Sequence, residues 1–509
     1  MSNLDTYVKA LSQADSALEI VTDKDACAAY VNKNYSRIPA DLPDAILYPT
    51  SSAQIEQIVK LANEHEISLA VRSSQGEETY HGSSVPVKGK RCVAVNLSKM
   101  TKIMHIDTKN GVALIEPGVT YTQLTEALKP HGCYIEHPLM PRAEKSVIAS
   151  LLDREPVMSP KHCWDIPDPL ACVELVMGNG CVFRTGSAAG PGTLEEMLKS
   201  GCAINQPQGP YCLDLARVIS GSQGTLAIVT WASVKIRPIG SASALCYAQS
   251  EDVDALTAFT SQVIRRRLGE NTFLVNKKAL AQITGMEDAV TEKMPEWTFV
   301  SDVRGNRYFP ERYKDNQIAD MKEIAEQYGV TVTERLDGIG NDVIDGVINQ
   351  ISKPGGYWRD RYGTGKMEQF FLSTLDKVDF YTKIAKAVVK KCGLASEELA
   401  VYIQPCMMGR NCHIEFLIPT CNGARAASAA GETETASDIG SYDTEQLEKM
   451  LGTALLDNHA FFSRPYGALT ESIYKKSSTQ TPFMAHIKKF FDEKNILNPG
   501  KLVYDGGRN

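Results

Sequence analysis

The stretch that most constrains this chain is Ser68–Val95, SLAVRSSQGEETYHGSSVPVKGKRCVAV. A short apolar run, Leu69, Ala70 and Val71, stops at Arg72. A polar loop follows with Gly76, Gly82 and the serines Ser74, Ser83 and Ser84, and a second β-rich run opens at Cys92. Strand, small-residue loop, strand is a pattern that brings backbone close to an anionic group, because small side chains permit the approach and successive N–H groups form a concave nest. No G-x-G-x-x-G opens a helix here, so the loop is not a Rossmann fingerprint. Alone, a loop of this composition is equally a plain connection, and its neighbours decide its meaning.

At 509 residues the chain is too long for a single core, which predicts two or three domains. A net charge of −7 argues against a nucleic-acid or anionic-membrane surface. No apolar run reaches the roughly 20 residues that span a bilayer, and the first 20 residues lack a basic start and a long apolar core. The 13 cysteines are scattered, with no CxxC pair. Cys406, Cys412 and His413 lie close together, but their spacing matches no regular metal motif, so free thiols and no metal are expected. Many unpaired cysteines suit a reducing cytoplasm.

Punctuation and periodicity then give the elements. Residues 1–40 carry apolar positions at helical spacing. Ala45 to Tyr48 reads as a strand, and Thr50-Ser51-Ser52 caps a helix from Ala53 to His65. Two hairpins are expected around Asn-Gly turns. One pairs Lys102–Ile106 with Val112–Ile115, and the other pairs Ala171–Met177 with Cys181–Arg184. Thr120 or Thr122 caps a helix running to about Pro130, Gly132 to Ile135 returns as a strand, and Thr225 to Ile236 reads as another. Residues 136–170 look irregular, and 422–441 have the composition of an exposed loop. Beyond 240 the rhythm changes to longer helices, Val253–Arg267, Tyr313–Tyr328, Leu375–Cys392 and Thr444–Ala460. Between them lie strands near 298–303, 400–404 and 413–419. The tail reads as a helix followed by a turn at Asn498-Pro499-Gly500. The class is α+β.

Four segments, in order, resemble one family. YPTSSAQIEQIVKLANEHEISLAVRSS, IDTKNGVALIEPGVTYTQLTEAL, SGSQGTLAIVTWASVKIRP and the tail NILNPGK are similar to motifs of the vanillyl-alcohol oxidase and para-cresol methylhydroxylase flavoproteins. Ala227 replaces the glycine usual before Ile228. The resemblance implies a two-part FAD-binding domain (1–240, with 465–509 folding back onto it) and an α+β cap over 241–464. It implies that FAD contacts Arg72, Ser73, Ser74, Gly76, Tyr80, His81, Gly82, Ser83, Gly224, Ile228, Val229 and Lys501.

Within that family the chain is most similar to the branch that oxidises para-substituted phenols. Tyr80, in YHGSSVPVKG, matches the tyrosine that helps to hold the phenolate. Asp165, counted back from Arg184-Thr185-Gly186, falls where the branch has an acid near flavin N5, with Asp168 close by. Arg464, in FFSRPYG, matches an arginine that supports phenolate and flavin, although Ser463 stands where a tyrosine is usual. A covalent link to FAD is left open. Gly76 occupies the usual histidine position of the first loop, while His81 and His413, in MMGRNCHIEF, are the candidates. The second glycine-rich loop is absent. The chain reads AEKSVIASLLDREPV instead, so side chains are expected where the family keeps backbone near the flavin.

The expected activity is hydride transfer from a para-substituted phenol or related aromatic alcohol to flavin. A D-2-hydroxy-acid dehydrogenase and a flavin-binding electron-transfer subunit are the alternatives. The resemblance leaves oxygen or an acceptor protein to take the electrons, and implies a homo-oligomer.

Overall fold

The computed structural model describes residues 3–30, 42–76, 92–163, 168–209, 214–353, 356–362, 367–418, 444–466 and 469–502. Among them no helix is long and apolar enough to cross a membrane, and every cysteine is a free thiol. The exposed loop expected over 422–441 lies outside the described residues.

The chain builds three main sheets, with helices against them. The first has strand order Glu19–Val21, Ala45–Tyr48, Val93–Asn96, Leu69–Arg72, the last three mutually parallel. Parallel strands need a crossover, and the helix Ser52–His65 carries the chain from Ala45–Tyr48 to Leu69–Arg72, on the far side of Val93–Asn96. The Ser51 hydroxyl accepts from the Gln54 N–H at 3.3 Å to start that helix, and Glu66 ends it at φ 55°. Its Ile55, Ile58, Val59 and Ala62 are fully buried on the sheet.

The second sheet is antiparallel, ordered Ile103–Asp107, Val112–Ile115, Ala227–Lys235, Leu170–Met177, Val182–Arg184. Both expected hairpins are present. At the first turn Asp107 accepts from the N–H and side-chain amide of Asn110, and Gly111 takes φ 67°. Thr120 caps the helix Tyr121–Leu128 in a reciprocal capping box with Gln123.

The third sheet has seven antiparallel strands, ordered Val332–Thr333, Ser243–Ser250, Trp297–Arg304, Thr272–Asn276, Ala400–Cys406, Asn411–Ile418, Met367–Ser373. The helices Val253–Arg265, Pro310–Gln327, Val378–Lys391 and Thr444–Asp457 cover one face, burying Phe259, Met321, Ala385 and Leu451. The other face buries Phe273, Tyr402 and Trp358 together with Leu139 and Met158 from the N-terminal half. That second face brings the halves together, and Trp358 Nε1 donates to the Leu139 carbonyl at 3.3 Å.

The C-terminal segment returns to the first sheet. After the helix Gln480–Phe491, Leu497 pairs with Leu69 in parallel. Leu69 N–H donates to Ile496 O at 2.7 Å, and Asn498 N–H to Leu69 O at 2.8 Å. Buried Lys488 fixes the approach, donating to Thr225 O at 2.6 Å, Leu497 O at 2.9 Å and Asp492 Oδ2 at 2.5 Å.

Two expectations are corrected. Residues 3–30 are not continuously helical, since the short strand Glu19–Val21 separates Asn3–Ala14 from Lys24–Tyr30. That strand satisfies its backbone on Ala45–Tyr48. The stretch 136–170 is not wholly irregular, because Ser146 caps a helix, Val147–Leu152, whose Val147, Ile148 and Leu151 enter the core.

Candidate active site

The strand Leu69–Arg72 ends in a cleft of about 120 Å³. Arg72, Ser73 and Ser74 line one wall, and Gly224, Ala227, Ile228 and Val229 another. Arg72 is buried and turned back on its own loop, donating from Nε to Ser74 O at 3.3 Å and also to the Gly76 carbonyl. Gly76 does not line this cleft; with Ser74 it lines a separate open pocket. Its φ is 79°, and a Cβ there would collide with the Glu144 carboxyl, so this position requires glycine. Gly224 has φ 67°, and a Cβ on it would come within 2.6 Å of the Asn498 amide nitrogen. Lys501 does not line the cleft. It is half-buried next to Leu502, and burial brings its ammonium down to about 8.

Residues 142–156 form the inner end of the cleft. Ser146 N–H donates to Ser74 Oγ at 3.1 Å, and Gln75 N–H to Glu144 O at 2.9 Å, which ties the two loops together. Lys145 enters where the family pattern has glycines. Its Nζ lies 3.0 Å from Asp153 Oδ2 and 3.1 Å from Glu155 Oε1. Ser150 Oγ donates to Glu155 Oε2 at 2.5 Å. Burial alone would raise the Glu155 pKa, but Lys145, the Ser150 hydroxyl and Arg464 together hold it at about 2. Burial likewise opposes the charge on Lys145, and Glu155 and Asp153 overcome it.

Arg142 and Lys145 line this cleft and also a second, small cavity of about 30 Å³. That cavity lies against the cap. Its far wall holds Arg359, which makes a two-pronged ion pair with Glu415 at 2.5 and 2.7 Å, and the guanidinium lies 4.3 Å over the Trp358 ring. Burial, the largest influence, would lower the Arg359 pKa, but Glu415 drives it well above the ordinary value.

Arg464 is different. It is 7% exposed and 4.2 Å over the Phe370 ring, and among the described residues its guanidinium has no hydrogen-bond acceptor. It lines the second cavity and a third one of about 20 Å³, lined also by Cys163, Asp168, Cys406, Met407 and His413. Gln223 Nε2 donates to Pro465 O at 2.6 Å, so the cofactor-side loop positions the segment that carries Arg464.

In that chamber His413 Nε2 is 3.1 Å from Glu415 Oε2, and burial lowers its pKa. Asp168 pairs with Lys235 at 2.5 Å. His413 therefore sits beyond the second cavity and does not line the cofactor cleft. Tyr80, His81, Gly82, Ser83 and Asp165 lie outside the described residues. Among those described, no group of three His, Cys, Asp or Glu side chains could hold a metal ion.

The structure brings Arg72, Ser73, Ser74, Gly224, Ile228 and Val229 into one cleft and joins it through Arg142 and Lys145 to Arg464. Sequence reasoning missed Arg142, Gln223, Asn498, Arg359 and Glu415. Only Asn498, in the tail motif, carried a signal that could have found it. Cations at Arg72, Arg142 and Lys145 suit a ligand with anionic groups, and Gly224 keeps open a backbone position that a side chain would fill.

Residues 43–186 match the FAD binding domain family. The D-lactate dehydrogenase [cytochrome] of Arabidopsis thaliana mitochondria is 26% identical over 199 residues, 39% of this chain and 31% of that protein. The chain thus aligns with about a third of that relative's length. The D-2-hydroxyglutarate dehydrogenase of Stutzerimonas stutzeri is 22% identical over 497 residues, 95% of this chain and 96% of that protein. The crystal structure of p-cresol methylhydroxylase with substrate bound superposes with a TM-score of 0.78 at 18% identity, covering 98% of this chain and 96% of that one. The chain therefore carries an FAD-binding domain over residues 43–186 and shares the fold of p-cresol methylhydroxylase.

Proposed function

We propose that this protein oxidises a small para-substituted phenol, or a related aromatic alcohol, bound as its anion. The observation that carries this reading is Arg464, a buried cation without a hydrogen-bond acceptor among the described residues, which lines two neighbouring cavities. A buried charge is costly unless something pairs with it, and an anionic substrate oxygen supplies the pair. Holding a phenolate also lowers the barrier at the para carbon, since negative charge on the ring assists loss of hydride.

Bound in the cleft, FAD supplies the hydride acceptor, N5. The substrate C–H bond breaks, both its electrons leave with the hydride, and the substrate becomes a quinone methide to which water adds. In this reading Arg464 and Tyr80 hold the phenolate oxygen. Asp165 acts at the reacting carbon, and Asp168, in the chamber beside Arg464, is the alternative acid. Buried Arg359 and Glu415 neutralise each other and exclude water.

The test is anaerobic mixing with 4-alkylphenols and 4-hydroxybenzyl alcohol, followed by loss of the visible flavin band. Bleaching that survives Arg464→Met and Asp165→Asn at full rate contradicts the assignment. Reoxidation on admitting air then separates oxygen from an acceptor protein. Colour left in an acid precipitate marks a covalent flavin.

A second reading is favoured by one observation, the near full-length similarity to a D-2-hydroxyglutarate dehydrogenase. A D-2-hydroxy acid brings a carboxylate that Arg464 would bind bidentately. Bleaching by such acids and not by phenols selects this reading.

A further inference from the structure

Lys145 and Arg142 line both the cofactor cleft and the second cavity, so they stand at the junction of the two. Arg142 is half-buried, whereas Lys145 is 6% exposed. A charge so enclosed acts through a low dielectric and is little screened by salt. Lys145 donates to Asp153 and pairs with Glu155, and an ammonium has three N–H bonds, so one remains for a ligand. The charged groups around it are Asp153, Glu155, Arg142 and, beyond Glu155, Arg464.

We propose that Lys145 sets the redox poise of the bound flavin: from the junction of the two cavities its ammonium stabilises the negative charge the ring system acquires on two-electron reduction. The inference rests on the FAD reading of the cleft and goes beyond it. The two carboxylates hold the side chain back and fix its position, and the cation contributes to the flavin's electronics. The reduction itself is the transfer already described, in which the flavin gains two electrons and a hydrogen at N5 while substrate loses them. Lys145 gives up no proton in it.

The experiment compares wild type, Lys145→Met and Lys145→Arg, each reconstituted with FAD. It reads the two-electron reduction potential and the dissociation constant of sulfite, whose addition at N5 places negative charge on the ring. Lys145→Met is expected to lower the potential by about 30 mV or more, a tenfold change for a two-electron couple. It is also expected to weaken sulfite binding at least tenfold, with Lys145→Arg recovering most of both. Unchanged potential and sulfite affinity in a flavin-loaded Lys145→Met overturn the proposal. If that variant holds no flavin, Glu155→Gln decides. Removing a counter-charge beside Lys145 must raise the potential and tighten sulfite binding, and no change, or the opposite sign, overturns it. A wild-type protein that binds no FAD overturns the cofactor reading, whereas loaded wild type with an insensitive Lys145→Met overturns only the role of Lys145.

Discussion

Asn498 reaches from the C-terminal segment to the loop at Gly224, and the two fit because the glycine has no side chain. The Asn498 amide donates to Gln223 O at 2.8 Å and its Oδ1 accepts from Val71 N–H at 3.3 Å, so one side chain joins tail, first strand and cofactor-side loop. A Cβ on Gly224 would lie 2.6 Å from that amide nitrogen.

Replacing either residue should therefore loosen the cleft. Asn498→Ala deletes both buried hydrogen bonds and should cost about 1–3 kcal/mol. Gly224→Ala places a side chain at φ 67° and against Asn498, with a cost of about 1–3 kcal/mol from strain alone. Denaturant unfolding with and without added FAD checks both. The variants should lose flavin more readily than wild type, and the stability gap should narrow with excess FAD.

Arg464 should behave in the opposite way. Because it has no hydrogen-bond acceptor among the described residues, Arg464→Met should leave stability within about 1 kcal/mol of wild type, or raise it. Reduction of the flavin by an anionic substrate should slow by about 100-fold or more. Stopped-flow reduction and thermal unfolding of the same preparation measure the two effects side by side.

The Arg359–Glu415 pair predicts an asymmetry between single and double changes. Glu415→Gln strands a buried guanidinium and should destabilise by about 3–5 kcal/mol. Relative to Glu415→Leu alone, adding Arg359→Met should recover part of the loss by removing the stranded guanidinium, while Glu368, 3.9 Å from Arg359 Nε, loses its cation and limits the recovery. A double-mutant cycle on unfolding free energies gives the coupling directly.

Acid should unfold the protein in two stages. Burial holds the His137 imidazole at about 4, below its ordinary 6.5. Against the opposing effect of burial, the hydrogen bond from His162 and the charge of Lys161 hold Glu270 at about 2, as Lys145 and its neighbours do for Glu155. All three folded-state values lie below the unfolded ones, so the stability they contribute is complete above about pH 6.5 and is lost on acidification. His137 accounts for the loss between about 6.5 and about 4, and the two glutamates for the loss from about 4.5 down to about 2. His137→Asn should flatten the upper limb of a stability–pH curve and Glu270→Gln the lower.

What the sequence made legible was local. The Asn110-Gly111 turn, the Thr120 cap and the Ser51 cap are decided by residues within four positions of one another, and the structure has them all. The strand Ala227–Lys235 was readable, but not its place in mid-sheet between Val112–Ile115 and Leu170–Met177, since antiparallel partners far apart in sequence leave no local mark. The helix Val147–Leu152 escaped notice because its 6 residues are too few to show a period. The paired charges were the hardest to see. Lys145, Glu155, Arg359 and Glu415 look in sequence like ordinary solvated residues, and only the closure of the cap over the N-terminal half shows them buried against each other.

The central claim is that FAD in the Arg72–Gly224 cleft is reduced by an anionic substrate held at Arg464. An anaerobic titration of wild type and Arg464→Met, loaded with equal FAD and given the same 4-alkylphenol, tests it most directly. The account predicts that the flavin band of wild type bleaches while that of Arg464→Met persists. Bleaching at equal rates in both, or a wild-type protein that retains no flavin at all, would contradict it.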